Sequence, residues 1–225
     1  MDRSATPATL PRFALAERLV HWTNALVVGV LIVTGYVLYG GPGAQGIGYR
    51  TTFKTIHVWT GLAMPAPILV GIALSAPLRD DLLRLSRWTR DDRRWWSRAR
   101  RGEVRLAKFN PGQKLNTSFT GAALVVLLMT GSIMKWYKPF ADSYRTGATF
   151  VHDWTALALG LAIAGHVLLA FRDPDALHAM RRGRVDAGWA ARERPRWHAE
   201  MTAPPAPPAS PDPAEIHPEP VAEHR

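Results

Sequence analysis

Four of the eight histidines in this 225-residue chain lie inside long apolar stretches, whereas the other four lie in the polar C-terminal region. The four in apolar surroundings are His21, His57, His152 and His166. An ionisable side chain is costly to hold in such a stretch, and it is therefore a candidate for a functional site. For any single histidine, a core residue that hydrogen-bonds a neighbouring helix is an equally good interpretation.

Paired imidazoles in an apolar helix bundle favour one kind of metal chemistry. Two imidazoles that face each other fill both axial positions of a haem iron, which then transfers electrons and has no open position for oxygen. Zinc is the competing metal, but it requires four ligands, and Asp153 is a single candidate carboxylate at these depths. The chain has no cysteine, which excludes an iron–sulfur cluster and covalently attached haem.

Four apolar blocks must position these histidines. They cover residues 19–39, 55–76, 116–136 and 148–171. Each is about 20 residues long, which is the length that a helix needs to cross a hydrocarbon core of about 30 Å. Four such blocks predict an all-α integral membrane protein, with a four-helix transmembrane bundle over residues 19–171.

The distribution of lysine and arginine predicts the orientation of this bundle. The N-terminal flank 1–18, the loop 77–115 and the C-terminal segment 172–225 together hold 23 of these residues, against 5 in the two remaining loops. Cytoplasmic loops are the richer in lysine and arginine, so both termini are predicted to be cytoplasmic. The same bias accounts for the net charge of +10 without nucleic acid as a partner.

Depth in the membrane sorts the histidines into two pairs. His57 and His152 each follow the outer start of their helix, and we call them the outer pair. His21 lies near the cytoplasmic start of the first helix and His166 near the inner end of the fourth, and we call them the inner pair. His152 and His166 are 14 residues apart, which is about 21 Å along a helix and about 40° around it. One face of the fourth helix therefore serves both pairs.

The polar segments carry no assigned chemistry. The loop 77–115 interleaves leucine and tryptophan with arginine, and two interpretations stand equally: an interfacial helix on anionic lipid, or a solvated basic loop. From about residue 195 the chain is rich in proline, and we predict a disordered cytoplasmic tail. The N-terminal flank has no short apolar region with a cleavage site, so no signal peptide is expected.

A short internal repeat marks the outer pair. The chain reads His-Val-Trp-Thr from residue 57 and His-Asp-Trp-Thr from residue 152. The tryptophans fall where an aromatic belt is expected, and we expect Thr60 and Thr155 to hydrogen-bond a ligand ring or a haem propionate. Several glycines are candidates for admitting a flat macrocycle, although ordinary helix packing explains any single one better: Gly29, Gly35, Gly61, Gly160 and Gly165.

Three groups of residues resemble a known family. They are Arg12-Phe13 and Glu17-Arg18 ahead of His21-Trp22, the second helix with His57, and the segment Lys108-Phe-Asn-Pro-Gly-Gln-Lys114, which is similar to the Asn-x-Gly-Gln-Lys segment of that family. Over roughly residues 10–175, the chain resembles the gamma, or cytochrome b, subunit of membrane-bound formate dehydrogenases. The wider group is that of bacterial di-haem b-type cytochromes.

The resemblance implies two haem b groups and a quinone site. An outer haem is expected between His57 and His152, and an inner haem between His21 and His166. The family's quinone lies at the cytoplasmic side beside the inner haem, which implies four quinone-binding residues in this chain: Asn110, Gly112, Gln113 and His166. Lys114 is a weaker candidate, and a turn that starts the third helix is the alternative interpretation of this segment.

The resemblance also implies partners in a bacterial inner (plasma) membrane. An alpha subunit oxidises formate at a molybdenum or tungsten pterin, and a beta subunit passes electrons through iron–sulfur clusters to the outer haem, the inner haem and then a membrane quinone. No formate-oxidising residue is expected in this chain. A hydrogenase, a thiosulfate reductase or a soluble cytochrome is the alternative partner. A haem-free transporter or anchor is the alternative of another class, and the near absence of carboxylates in the apolar blocks argues against it.

Overall fold

The computed structural model describes residues 8–40, 50–95, 97 and 106–203. Most of these residues are helical, and two short strands pair in the same part of the chain. In chain order, the elements are β1 (Thr9–Pro11), α1 (Leu15–Tyr39), α2 (Arg50–Ala63), α3 (Ala66–Leu74), α4 (Ala76–Ser86), α5 (Arg90–Arg93), α6 (Pro111–Lys135), α7 (Asp142–Arg172), α8 (Pro174–Arg182), β2 (Arg184–Asp186), α9 (Ala187–Glu193) and α10 (Pro195–Thr202).

Four helical segments are long and apolar enough to cross a membrane: Leu15–Tyr39, Arg50–Leu74, Pro111–Lys135 and Asp142–Arg172. At most 11% of the residues in their most apolar windows are buried inside the protein. Their large apolar side chains therefore face outward, as those of a helix in lipid do. The predicted four-helix, multi-pass membrane fold is confirmed, whereas the side on which the termini lie stays a prediction.

The helices extend beyond the apolar blocks that predicted them. The third begins at Pro111 rather than at 116, and the fourth begins at Asp142 rather than at 148. Polar residues form these first turns, because the first backbone N–H groups of a helix have no intrahelical partner and bond to side chains or water instead. The second span is not one regular helix, because α2 ends at Ala63 and α3 begins at Ala66, with Pro65 between them. Proline lacks the N–H that would continue the ladder.

The spans pair as two antiparallel hairpins. Helix α1 packs on α2 and α3, and α6 packs along α7, while α2 also touches α6. Each hairpin therefore holds one histidine of each pair: His21 with His57 on the two helices of the first, and both His152 and His166 on α7 of the second.

A small folded cap joins the two flanks of the bundle. Strands β1 and β2 pair antiparallel, with Leu10 opposite Val185. Both flanks therefore lie at the same end of the bundle. Beneath the strands, Trp189 and Trp197 are buried with Leu10 and Val185 in one apolar cluster. Arg12 is buried against the ring of Trp189 at 4.6 Å. Burial, and then the neighbouring Arg194, lower the pKa of Arg12 to about 10.

The predicted onset of disorder at about residue 195 is too early. Pro195 starts α10, and Trp197 in that helix is only 3% exposed. Proline suits the first turn of a helix, so the proline content at this point marks a helix start. The remainder of the predicted tail, residues 204–225, lies outside the described residues, as do residues 1–7 and most of 96–105.

Part of the loop 77–115 is helical. Helix α4 covers its start, and it buries Leu78 and Asp81 against the rest of the protein. This segment is therefore ordered and packed on α6 and α1, which differs from a purely solvated loop. Its position relative to lipid stays a prediction.

Candidate functional site

The outer pair joins α2 to α7. The ring centres of His57 and His152 lie 6.2 Å apart, with an angle of 67° between the ring planes. Both side chains are half-buried. The structure therefore brings together the two residues that the sequence prediction assigned to the outer pair.

The inner pair joins α1 to α7 with nearly the same geometry. The ring centres of His21 and His166 are 6.2 Å apart, and the angle between their planes is 64°. The edge of the Trp22 ring meets the His21 ring, with 5.2 Å between their centres. Because His152 and His166 occupy one continuous helix, the two pairs lie at two levels of the same bundle.

The spacing of both pairs fits a metal ion between two imidazoles. Two metal–nitrogen bonds of about 2 Å, with about 1 Å more from each nitrogen to its ring centre, give about 6 Å. Within the described part of the chain, no group of three or more His, Cys, Asp or Glu residues lies ready to bind a metal. The donor set is therefore two imidazoles per site, which fits a haem with both axial positions filled by histidine.

Each histidine of the outer pair is hydrogen-bonded by a threonine of the preceding helix. Thr34 Oγ1 lies 2.9 Å from Nδ1 of His57, and Thr130 Oγ1 lies 2.9 Å from Nδ1 of His152. Thr34 is 4% and Thr130 is 8% exposed. Each buried hydroxyl thus contacts Nδ1 of its ring, which leaves the other ring nitrogen, Nε2, available to bind a metal.

The next residue after each threonine is a glycine that contacts the same ring. A Cβ atom built on Gly35 would lie 3.3 Å from Cε1 of His57, and one on Gly131 would lie 3.3 Å from Cε1 of His152. This is closer than an ordinary van der Waals contact. The two Thr–Gly dipeptides therefore form equivalent seats for the two rings.

The sequence prediction missed these threonines. It expected Thr60 and Thr155 to hydrogen-bond a ligand ring or a haem propionate, and among the described residues neither makes a side-chain hydrogen bond to a histidine. The signal was nevertheless in the sequence, because Thr-Gly precedes each His-x-Trp-Thr motif by 22 or 23 residues. The internal repeat is therefore longer than the four residues of that motif.

Three of the four residues expected to bind quinone lie at the start of α6, and the fourth, His166, lies on α7. Asn110 and Gln113 form a reciprocal cap, in which Gln113 N donates to Asn110 Oδ1 at 2.8 Å and Asn110 N donates to Gln113 Oε1 at 2.9 Å. Gly112 is exposed in the same turn. The helix-start interpretation of this segment is thus correct in structural terms. It leaves the quinone assignment as a prediction.

Lys114 has a structural partner. Its ammonium group donates to Asp92 Oδ2 at 2.7 Å and to the carbonyl oxygen of Arg87 at 2.8 Å. Burial alone raises the pKa of Asp92, but the hydrogen bonds from Lys114 and Thr89 outweigh it and hold that pKa below its usual range. This ion pair fastens the first turn of α6 to the segment that precedes it.

A second buried ion cluster lies one helical turn before His21. Lys108 Nζ is 2.5 Å from Asp81 Oδ2 and 4.0 Å from Glu17 Oε1, and all three side chains are nearly inaccessible to solvent. The Glu17 carboxylate also accepts a hydrogen bond from the backbone N–H of Ala14. The inner end of the bundle is therefore held together by buried charges.

Comparisons of the sequence with known proteins identify its family. The sequence profile of the family described as "Prokaryotic cytochrome b561" matches residues 12–183. The formate dehydrogenase cytochrome b556(fdo) subunit of Escherichia coli K12 is 24% identical over 204 residues, which are 86% of this chain and 93% of the relative. The formate dehydrogenase cytochrome b556 subunit of Haemophilus influenzae is 25% identical over 200 residues, covering 84% and 82%.

A shorter match has higher identity. The nitrate-inducible formate dehydrogenase cytochrome b556(Fdn) subunit of Escherichia coli K12 is 30% identical over 100 residues, which are 43% of this chain and 46% of the relative. The family profile covers most of the chain, including all four spans and both histidine pairs. The chain therefore belongs to the prokaryotic cytochrome b561 family, whose members are membrane proteins that carry haem b.

Proposed function

We propose that this chain is the di-haem cytochrome b subunit of a membrane-bound formate dehydrogenase. The observation that carries the proposal is the presence of two histidine pairs, each with 6.2 Å between ring centres, at two levels of one bundle. The choice of formate rests on the relatives, which are named as formate dehydrogenase subunits and align over most of this chain. An iron–sulfur subunit and a molybdenum or tungsten pterin subunit are the partners that this proposal requires.

When bound, haem b supplies reversible one-electron transfer, here from the iron–sulfur partner across the membrane to a quinone. His57 and His152 would hold the outer haem, and His21 and His166 would hold the inner haem. With two imidazoles at each site, the haems would supply electron transfer rather than oxygen chemistry. The apolar faces of the four spans exclude water from both sites.

The start of α6 is the proposed quinone site, beside His166. The reciprocal cap uses only the oxygen of each side-chain amide, so the NH2 group of Asn110 and that of Gln113 still offer donors. Such donors suit a quinone carbonyl. The exposed Gly112 leaves room for a ring to approach the turn.

Proton uptake belongs on the same side as the quinone. The lysine and arginine bias supports a cytoplasmic position for this end, in a bacterial inner membrane. Electrons entering at the outer pair and protons taken up at the inner end would together separate charge across the membrane. Cleavage by protease on only one face of sealed vesicles would test the orientation. A dehydrogenase head on the cytoplasmic face would contradict the entry of electrons at the outer pair.

The first experiment is a haem count on the protein purified from its native membrane. The reduced-minus-oxidised spectrum and the pyridine haemochrome are expected to give two b haems per chain. The His166→Ala variant is expected to give one, and His178→Ala, which changes a histidine outside the bundle, is the matched control with two. Wild-type protein without haem would overturn the proposal and favour a transporter or an anchor.

The partner is tested in intact membranes. Formate is expected to reduce the b haems in the absence of any other donor, and a quinone-site inhibitor is expected to block their reoxidation. Reduction by hydrogen instead of formate, or oxidation of the reduced haems by thiosulfate, would leave the cytochrome in place and replace its partner.

A further inference from the structure

The two threonines of the outer pair have only one hydroxyl proton each to donate, and the neighbouring oxygen atoms indicate the acceptor. Thr34 Oγ1 lies 2.7 Å from the carbonyl oxygen of Val30, and Thr130 Oγ1 lies 2.7 Å from the carbonyl oxygen of Val126. A hydroxyl has a single donor and two acceptor lone pairs. Since each hydroxyl donates to its own helix, it acts as an acceptor toward the histidine.

An acceptor at Nδ1 fixes the state of the imidazole. The proton of the neutral ring must lie on Nδ1, so Nε2 carries the lone pair that can bind iron. A hydrogen bond from the far nitrogen of a ligating histidine also makes the ligand a stronger electron donor and holds the ring in one orientation. Thr34 therefore acts on His57, and Thr130 on His152, through the ring nitrogen that does not bind the metal.

The glycines fix the position of the same rings. The Cε1 atoms of both rings come within 3.3 Å of where a Cβ would lie on Gly35 or Gly131. Each imidazole thus contacts a hydroxyl and the bare backbone of the preceding helix along its Nδ1–Cε1 edge. The hydroxyl and glycine distances are the same in the two seats, although the seats belong to different hairpins.

The inner pair lacks this arrangement. Among the described residues, neither His21 nor His166 makes a side-chain hydrogen bond, and a Cβ placed on Gly165, beside His166, would meet no atom within 4 Å. The Thr–Gly seat is therefore found only at the outer site among the described residues, and it distinguishes two sites that each offer a pair of histidines.

We propose that Thr34–Gly35 and Thr130–Gly131 are positioning residues that set the tautomer and the donor strength of the outer haem ligands. The proposal rests on the haem-binding function proposed above. A stronger imidazole donor favours the ferric state, so the hydroxyls lower the reduction potential of the outer haem relative to the same site without them. They also hold the rings at the spacing that the haem requires.

The test replaces one hydroxyl and leaves the volume of the side chain nearly unchanged. In Thr130→Val, the midpoint potential of the outer haem is expected to shift to more positive values, and its affinity for the site to fall by about 10- to 100-fold. Thr130→Ser keeps the hydroxyl and is expected to restore both. The readouts are a redox titration followed in the α band, haem retention in detergent, and the low-spin electron paramagnetic resonance signal.

Ser132→Ala is the matched control. Ser132 Oγ donates to the carbonyl oxygen of Leu128 at 2.7 Å on the same helix, and among the described residues it makes no hydrogen bond to a histidine. We expect its potentials and haem count to equal those of the wild type. The inner haem, retained in every variant, reports that the bundle is folded.

The outcomes distinguish a failure of this positioning proposal from a failure of the proposed function. Suppose that the wild-type protein holds two haems and that the potential and affinity of the outer haem are unchanged in Thr130→Val. That result would overturn the positioning role alone. An equal shift of both haems in Thr130→Val, or the same shift in Ser132→Ala, would also overturn it. Wild-type protein without haem would remove the proposed function itself.

Discussion

The outer and inner histidine pairs have the same ring spacing, 6.2 Å, and ring angles that differ by only a few degrees, but their surroundings differ in kind. The outer rings are held by neutral hydroxyls and glycine backbone. The inner end is held by buried ion pairs and by the cap. Equal ligand geometry therefore does not imply equal electronic properties, because the groups around the ligands tune the metal.

The inner end is fastened across elements rather than within a hairpin. Arg18 Nη1 donates to the carbonyl oxygen of Arg181 at 2.6 Å, and Trp22 Nε1 donates to that of Met180 at 3.2 Å. Helix α1 is thereby tied to α8 just beside His21. The inner site depends on contacts between residues more than 150 positions apart, whereas each outer threonine lies 22 or 23 residues from its histidine.

The largest expected effect is the selective loss of one haem. His57→Ala should leave only the inner haem, and His21→Ala only the outer, because each change removes one of two axial ligands at one level. Pyridine haemochrome counts should fall from two to one per chain in both. The remaining haem should keep its wild-type potential, and loss of both haems in either variant would contradict the independence of the two sites.

A smaller effect is expected from a single methyl group at the outer seat. In Gly131→Ala the new Cβ would lie 3.3 Å from the His152 ring, so the ring must shift and outer haem retention should fall. Gly121→Ala on the same helix meets no atom within 4 Å. It should be neutral, or stabilising by about 0.5–1 kcal/mol as alanine replaces glycine in a helix. Equal haem retention in both variants would contradict the role of Gly131 in positioning the His152 ring.

The smallest expected effect concerns the charges at the inner end. Lys114→Gln removes the partner of Asp92, and the unfolding free energy should fall by about 1–3 kcal/mol at neutral pH. Because folding depresses the pKa of Asp92, its contribution is present above the unfolded value of about 3.9 and is lost as the pH falls through the folded value. The gap between variant and wild type should therefore close below about pH 4, measured by thermal unfolding in detergent.

Arg145→Gln provides the control for this charge effect. Arg145 and Asp142 form an ion pair at the start of α7, with side chains that are 50% and 97% exposed. Exposed pairs contribute little to stability, so this variant should match the wild type at every pH. A comparable loss in both variants would show that burial of the Lys114 pair has no special importance.

The spans and the histidine pairs were predictable because each rests on a local pattern. Apolar length gave four helices, and the spacing of His152 and His166 placed both on one face. The Thr–Gly seats were not predicted, since a threonine in an apolar helix commonly bonds only its own backbone. Thr34 and Thr130 do this as well, and only the three-dimensional packing adds the histidine.

The cap was also beyond the sequence prediction. Its strands have three residues each, which is too short for alternation to be recognised. The strands pack on Trp189 and Trp197, and Trp197 lies in a segment whose prolines indicated disorder. The quinone candidates were found by resemblance, and the structure adds that Asn110 and Gln113 form a helix cap.

The pairing of β1 with β2 has a consequence for biogenesis. Leu10 and Val185 are partners 175 residues apart, so the first strand waits for its partner while the ribosome completes all four spans. At about 5–20 residues per second, that wait lasts roughly 10–35 seconds. Because both strands must reach the same side of the membrane, a chain with one span missing or inverted cannot close the cap. Pairing of β1 with β2 therefore requires correct insertion of the four spans, and β1 stays unpaired in a chain whose assembly is incomplete.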